Sequence, residues 1–126
     1  GGIPQAVQAA KDWCAANGKN LQIELEVRNT DEISQALLAG VDRIMLDNFT
    51  PERTLEAVRQ IRAYKAPEAQ LASDPHCHNG EDVEIESSGG ITIDTLRAYG
   101  ECGVDFISVG ALTHSVKGLD MSFKAC

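Results

Sequence analysis

Carboxylates recur at every second position in two short stretches. Leu21-Gln22-Ile23-Glu24-Leu25-Glu26-Val27 and Val83-Glu84-Ile85-Glu86 alternate apolar with acidic or polar residues, the period of a strand with two unlike faces. If the apolar side chains pack on helices, Glu24, Glu26, Glu84 and Glu86 all point the other way. Acidic groups gathered on an enclosed face are costly unless a cation, a hydrogen-bond donor or a ligand offsets them. Several together suit a site that handles hydroxyls or a metal-bound ligand. On an open sheet with one wet face the same glutamates are simply solvated. A further carboxylate, Asp47, ends the run Arg43-Ile44-Met45-Leu46.

A second kind of chemistry follows Glu86. Ser87-Ser88-Gly89-Gly90-Ile91-Thr92 reads as a strand end, a hydroxyl, a glycine turn and the start of a helix that Thr92 can cap. Glycines let the main chain approach a ligand closely, and free N–H groups at a helix start favour an anion. The plainer reading is a tight strand-to-helix turn with no ligand. Phe106-Ile107-Ser108-Val109-Gly110 is another strand, with Ser108 and Gly110 on the face opposite Ile107 and Val109, and it leads into Ala111-Leu112-Thr113-His114. His114 can donate to a phosphate oxygen and gain charge from it; the alternative is an ordinary loop histidine.

These stretches need a scaffold, and its plan is legible. Pro4, Val7, Ala10 and Cys14 mark a helix stopped by Gly18. Asn29 with Glu32 resembles a capping box for a helix with the stripe Ile33, Ala36 and Leu37, ended by Gly40. Thr50-Pro51 opens a helix whose predicted stripe is Leu55, Val58 and Ile61, and Leu96 and Tyr99 mark one ended by Gly103. Gly40-Val41-Asp42 and Gly103-Val104-Asp105 each join a helix to the next strand, and Gly1-Gly2-Ile3 and Gly89-Gly90-Ile91 each open a helix.

Such repeated units imply an α/β fold with parallel strands alternating with helices. Four strands are legible, whereas a TIM-like (β/α) barrel closes with about eight. The expectation is therefore the C-terminal half of such a barrel, residues 1–126 forming a partial domain that starts inside a βα turn. A complete small open sheet is the alternative. In a barrel, Glu26, Asp47, Ser88 and Gly110 all lie at the C-terminal rim, where sites are built, and the last two strands usually hold phosphate.

Composition narrows the partners. With 126 residues and a formal charge of -8, the balance argues against a nucleic-acid surface, although backbone N–H groups can still hold a phosphate. No apolar run is long enough for a membrane span. The cysteines at 14, 77, 102 and 126 show no paired spacing and read as reduced thiols of a cytoplasmic protein. Residues 66–82 hold two prolines and two histidines with little periodicity and read as a surface loop insertion. His76-Cys77-His78 within it offers too few well-spaced ligands for structural zinc and is expected to be solvated. The tail from Lys117 carries weak structure signals.

Glu24-Leu25-Glu26-Val27, Met45-Leu46-Asp47-Asn48-Phe49, Glu86-Ser87-Ser88-Gly89-Gly90-Ile91-Thr92 and Val109 through Val116, in that order, resemble the C-terminal part of the quinolinate phosphoribosyltransferase family. The resemblance runs from Gly1 to about Phe123, interrupted by 66–82. It implies transfer of phosphoribose from phosphoribosyl pyrophosphate to quinolinate, giving nicotinate mononucleotide, pyrophosphate and carbon dioxide in NAD synthesis. It implies that Glu26 and Asp47 contact the ribose hydroxyls, directly or through Mg2+, with Glu86 a weaker candidate ligand. It implies that Ser88, Gly89, Gly90, Gly110 and His114 cradle the 5′-phosphate, and that the full-length protein is a homo-oligomer. The basic residues with which the family binds the two quinolinate carboxylates lie in earlier strands and in a partner subunit. This polypeptide is therefore expected to be inactive alone. The rival expectations are a non-catalytic phosphate-binding or assembly module, and a related enzyme of this fold with another acceptor, such as the molybdenum-locus homologues.

Overall fold

Gly40-Val41-Asp42 and Gly103-Val104-Asp105 prove to be one structural device used twice. Asp42 N and Arg43 N both donate to Ile23 O (2.9 and 3.1 Å), while the Asp42 carboxylate accepts from Ile23 N at 2.7 Å. In the second copy Asp105 N donates to Ile85 O at 2.8 Å, and Asp105 Oδ2 accepts from Ile85 N at 2.9 Å. Each aspartate thus pins the start of its own strand to the start of the preceding one. A strand start has unpaired backbone groups that need partners, and a short acidic side chain supplies one.

The computed structural model describes residues 2–109 and, for the backbone, 121–124. The elements are α1 (Ile3–Ala16), β1 (Glu24–Val27), α2 (Thr30–Ala39), β2 (Arg43–Asp47), α3 (Pro51–Arg62), α4 (Glu68–Ser73), β3 (Glu84–Ser88), α5 (Leu96–Gly100), β4 (Phe106–Val109) and β5 (Met121–Lys124). The sheet order follows the chain, β1-β2-β3-β4-β5. The first four strands are parallel, and β5 lies antiparallel on β4. The α/β alternation is as the sequence predicts; the antiparallel edge strand, drawn from the weakly patterned tail, is not.

One face of the sheet carries the core. Val27, Ile44, Leu46, Ile85, Ile107 and Val109 are buried there against Ile33, Ala36, Leu37, Val58, Ile61 and Tyr99 from the helices. Truncating any of these large side chains to alanine removes about 2–5 kcal/mol of stability. Helix starts follow their caps. Asn29 Oδ1 accepts from Glu32 N at 2.9 Å, although Glu32 Oε1 accepts in return from Arg28 N rather than Asn29 N. Thr50 Oγ1 accepts from Arg53 N at 3.2 Å, with Pro51 at the first helical position.

Several boundaries differ from the sequence reading. β1 begins at Glu24 rather than Leu21, which is 52% exposed, because Ile23 N is taken by the Asp42 side chain instead of a ladder. The α3 stripe is Thr54, Ala57, Val58 and Ile61, with Leu55 38% exposed. Thr54 tolerates burial because its hydroxyl donates to Thr50 O. α5 starts at Leu96, not after Thr92; Thr92 N instead donates to Thr95 Oγ1.

Residues 66–82 are more than a surface loop. They contain α4 and dock through Gln70 Nε2 to Leu38 O, Lys11 Nζ to Asp74 Oδ2 (2.5 Å) and Arg62 Nη1 to Gly80 O (2.8 Å). His76 and His78 are half-buried and paired rather than simply solvated. His76 Nδ1 and His78 Nε2 each lie 2.7 Å from one oxygen of Asp42.

Candidate active-site rim

The strand faces away from the helices carry the polar residues. In register, Glu24 stands beside Arg43, which stands beside Glu84; Glu26 stands beside Met45, then Glu86, then Phe106; and Asp47 stands beside Ser88. Period-2 alternation from the buried Val27, Leu46, Ile85 and Ile107 places these side chains together on one face. The expectation that Glu24, Glu26, Glu84, Glu86 and Ser108 share a face, with Asp47 and Ser88 at the strand ends, therefore agrees with the structure.

Asp47 and the Ser88 turn are in direct contact. A Cβ added at Gly89 would lie 2.9 Å from Asp47 Oδ1 and 2.7 Å from Asn48 Oδ1. Gly89 and Gly90 have φ of +86° and +70°, the left-handed region open to glycine. Asn48 has φ +57°, a conformation asparagine tolerates better than most residues, and its N–H donates to Ser88 O at 2.9 Å. Buried Ile91 anchors the far side of the turn. Beneath it, Tyr99 donates its hydroxyl to Phe49 O at 2.7 Å. The Arg53 guanidinium lies 4.4 Å over the Phe49 ring and donates to Arg28 O, tying the β1 and β2 ends together.

Charge on this face is unbalanced. Glu24, Glu26, Asp47, Glu84 and Glu86 share it with one described cation, Arg43, whose guanidinium carbon sits 4.0 Å over the Phe106 ring. Partial desolvation by its neighbours and then the negative charge of Glu86 push the carboxyl of the exposed Glu24 above its usual range, with Arg43 pulling the other way. Among the described residues no side chain pairs with the carboxylates of Glu26 or Asp47. Nor do three His, Cys, Asp or Glu side chains among them converge as a metal site. Mg2+, however, is commonly held by one or two carboxylates completed by substrate phosphates and water, and the hard oxygens of Glu26 and Asp47 suit that arrangement. Gly110 and His114 lie outside the described residues.

Residues 1–124 match the family described as quinolinate phosphoribosyl transferase, C-terminal domain. The chain belongs to this family. The probable nicotinate-nucleotide pyrophosphorylase [carboxylating] of Methanocaldococcus jannaschii is 40% identical over 121 residues, covering 96% of this chain and 38% of the relative. The human nicotinate-nucleotide pyrophosphorylase [carboxylating] is 36% identical over 126 residues, covering 98% and 36%. A solved structure of the nicotinate-nucleotide pyrophosphorylase from Francisella tularensis superposes with a TM-score of 0.69 at 38% identity, covering 93% of this chain and 34% of that one. The chain thus spans somewhat over a third of the length of these relatives.

Within this quinolinate phosphoribosyl transferase domain, two features of the rim escaped the sequence reading. Asn48 supports the glycine turn, and the only signal for it was an asparagine directly after a strand-end aspartate. Arg43 stands among glutamates on the sheet face away from the helices; its place in the strand period was the available clue. The His76-Cys77-His78 cluster sits at the opposite, N-terminal ends of the strands, with both imidazoles on Asp42 and Cys77 buried. Burial and then Asp74 raise the Cys77 thiol above its ordinary value. Cys14, Cys77 and Cys102 are free thiols. No helix among the described residues is long and apolar enough to cross a membrane.

Proposed function

We propose that this chain supplies the ribose-phosphate side of an active site that transfers phosphoribose from phosphoribosyl pyrophosphate to quinolinate, yielding nicotinate mononucleotide, pyrophosphate and carbon dioxide. The observation that carries this reading is the contact of Asp47 with the Ser88-Gly89-Gly90 turn at the C-terminal ends of parallel strands. A sugar phosphate needs both parts at once: oxygen acceptors for its hydroxyls and main-chain N–H groups for its phosphate. Parallel strands bring them to one rim of a (β/α) barrel.

In this reading Glu26 and Asp47 hold the ribose hydroxyls, and their negative charge stabilises the positive charge that develops at the anomeric carbon as its bond to pyrophosphate breaks. The same two carboxylates would hold Mg2+, which would supply positive charge beside the pyrophosphate oxygens. Ser88, Gly89 and Gly90 orient the 5′-phosphate through backbone and hydroxyl donors, with Gly110 and His114 completing the cradle. The acceptor's dicarboxylate is bound by basic residues from the parts of the family's length that this chain does not span. The working enzyme is a cytoplasmic homo-oligomer.

Calorimetric titration of phosphoribosyl pyrophosphate with Mg2+ tests the reading. The chain binds the ligand, and Asp47→Asn weakens binding at least tenfold while leaving the thermal midpoint within a few degrees. Binding of inorganic phosphate alone, with no gain from the ribose and pyrophosphate, would point to a phosphate-binding module instead. Normal phosphoribosyl pyrophosphate binding without quinolinate turnover in the full-length protein would point to another acceptor.

A further inference from the structure

Glu86 is the one buried charged residue among the described residues, at 5% exposure. Both of its oxygens are engaged. Ser108 Oγ of β4 donates to Oε2 at 2.6 Å, and Arg43 Nη1 of β2 donates to Oε1 at 3.3 Å. Arg43 in turn stacks on Phe106 and reaches Glu84 Oε1 at 3.5 Å. The contacts cross three strands on the face away from the helices. A carboxylate buried to this degree persists only when its partners are in place, and losing one partner leaves the rest uncompensated.

Its location gives the network a job. Glu86 stands in register with Met45 and Phe106, and the next residue of β3 on that face is Ser88, in register with Asp47. Two residues of strand span about 7 Å, so the brace lies directly below the turn that meets Asp47. Backbone ladders set the register of β3 and the Asp105 side chain holds its start at Ile85 N, whereas this brace acts nearer the end that leads into the turn.

We propose that Glu86 is a positioning residue for the phosphoribosyl site: a buried brace holding β3 between β2 and β4 so that Ser88 and Gly89 are presented to Asp47. It is not a ligand for Mg2+. A divalent cation at Glu86 would have to displace the Ser108 hydroxyl or share the carboxylate with the Arg43 guanidinium, whose positive charge repels it. Mg2+ also demands near-ideal octahedral geometry, which a carboxylate pinned at both oxygens does not offer. The inference rests on the reading that the rim takes phosphoribosyl pyrophosphate.

Steady-state kinetics of the natural full-length protein, with Glu86→Gln and Ser108→Ala, test it. Each variant raises the KM for phosphoribosyl pyrophosphate about 10- to 100-fold, the range for loss of a group that orients a site. The KM for quinolinate, kcat and the Mg2+ half-saturation stay within about twofold, the pattern expected when uniform binding of one substrate is lost. Because the two residues share one hydrogen bond, the double variant is no worse than the poorer single. A merely structural role would lower kcat and the thermal midpoint together and leave that KM alone, overturning the proposal. A shifted Mg2+ half-saturation in Glu86→Gln would overturn it too, by making Glu86 a metal ligand. Should Glu86→Gln fail to fold, Ser108→Ala probes the same brace with the carboxylate intact. Wild-type protein that binds no phosphoribosyl pyrophosphate refutes the functional reading itself; wild type that binds normally beside insensitive variants refutes only the brace.

Discussion

Asp47 and Gly89 meet so closely that a methyl group on residue 89 would lie 2.9 Å from the Asp47 carboxylate. The two positions belong to different strands, and the contact exists because β2 and β3 end in register. Gly90, one residue on, has only Asn48 Oδ1 at 3.6 Å from its hypothetical Cβ. Gly89→Ala must therefore push Asp47 and Asn48 aside as well as adopt an unfavourable φ, whereas Gly90→Ala pays mainly the second penalty, about 1–3 kcal/mol for such a conformation. Gly89→Ala is expected to abolish measurable phosphoribosyl pyrophosphate binding, and Gly90→Ala to weaken it severalfold. Equal losses in titration calorimetry would mean that the Asp47 contact is irrelevant to the site.

A similar contrast separates two glycines far from the rim. A Cβ at Gly80 would sit 1.6 Å from Ile61 O, while one at Gly18 meets nothing within 4 Å. Gly80 N donates to Tyr64 O and Gly80 O accepts from Arg62, so the backbone there cannot retreat without breaking the dock of residues 66–82 on α3. Gly80→Ala is expected to lower unfolding free energy by about 3 kcal/mol. Gly18→Ala, with φ +61° but open space, is expected to cost about 1 kcal/mol. Urea denaturation of both variants checks the ranking.

What the sequence could and could not reveal follows from the range of each interaction. Alternation of Glu24, Glu26, Glu84 and Glu86 with apolar residues announced a two-faced sheet, since strand period is a local property. The caps at Asn29 and Thr50 were legible for the same reason. The brace of Arg43, Glu86 and Ser108 was not, because it joins residues far apart in the chain whose meeting depends on strand register. His76 and His78 were misread as solvated because nothing near them in sequence shows the Asp42 carboxylate that receives them. Leu55 was misplaced in the α3 stripe because Thr54 satisfies its hydroxyl within the helix and so replaces it on the buried side.

The open face makes Glu24 a source of instability at neutral pH. Partial desolvation and the charge of Glu86 raise its carboxyl above the ordinary 4.5, so the ionised form is disfavoured in the folded state. That cost is present above the raised value and vanishes as pH falls below 4.5. Glu24→Gln is therefore expected to raise the urea midpoint at pH 7, with the advantage fading towards pH 4. An advantage that persists at pH 4 would show that the carboxylate's charge is not the cause.

Asp42 should behave in the opposite sense. Burial alone would raise its carboxyl, but hydrogen bonds from His78, Ile23 N and His76, together with the charge of His76, outweigh it and hold the group below its ordinary 3.8. A depressed carboxyl contributes stability that is fully present above the unfolded value and is lost as pH falls through the folded one. The equivalent Asp105 is met by the Arg62 guanidinium at 3.0 Å, whose charge does not titrate in this range. Asp42→Asn removes charge-assisted bonds to two imidazoles and a backbone N–H, a loss on the order of 2 kcal/mol at pH 6. The same variant should match wild type more closely at each step below pH 4, as wild-type Asp42 itself becomes protonated. The strand start at Ile23 should open with it, read as faster amide exchange at Ile23 but not at Ile85, whose N–H Asp105 still accepts. Exchange rising equally at both would show that the two Gly-Val-Asp brackets act as one unit rather than as separate pins.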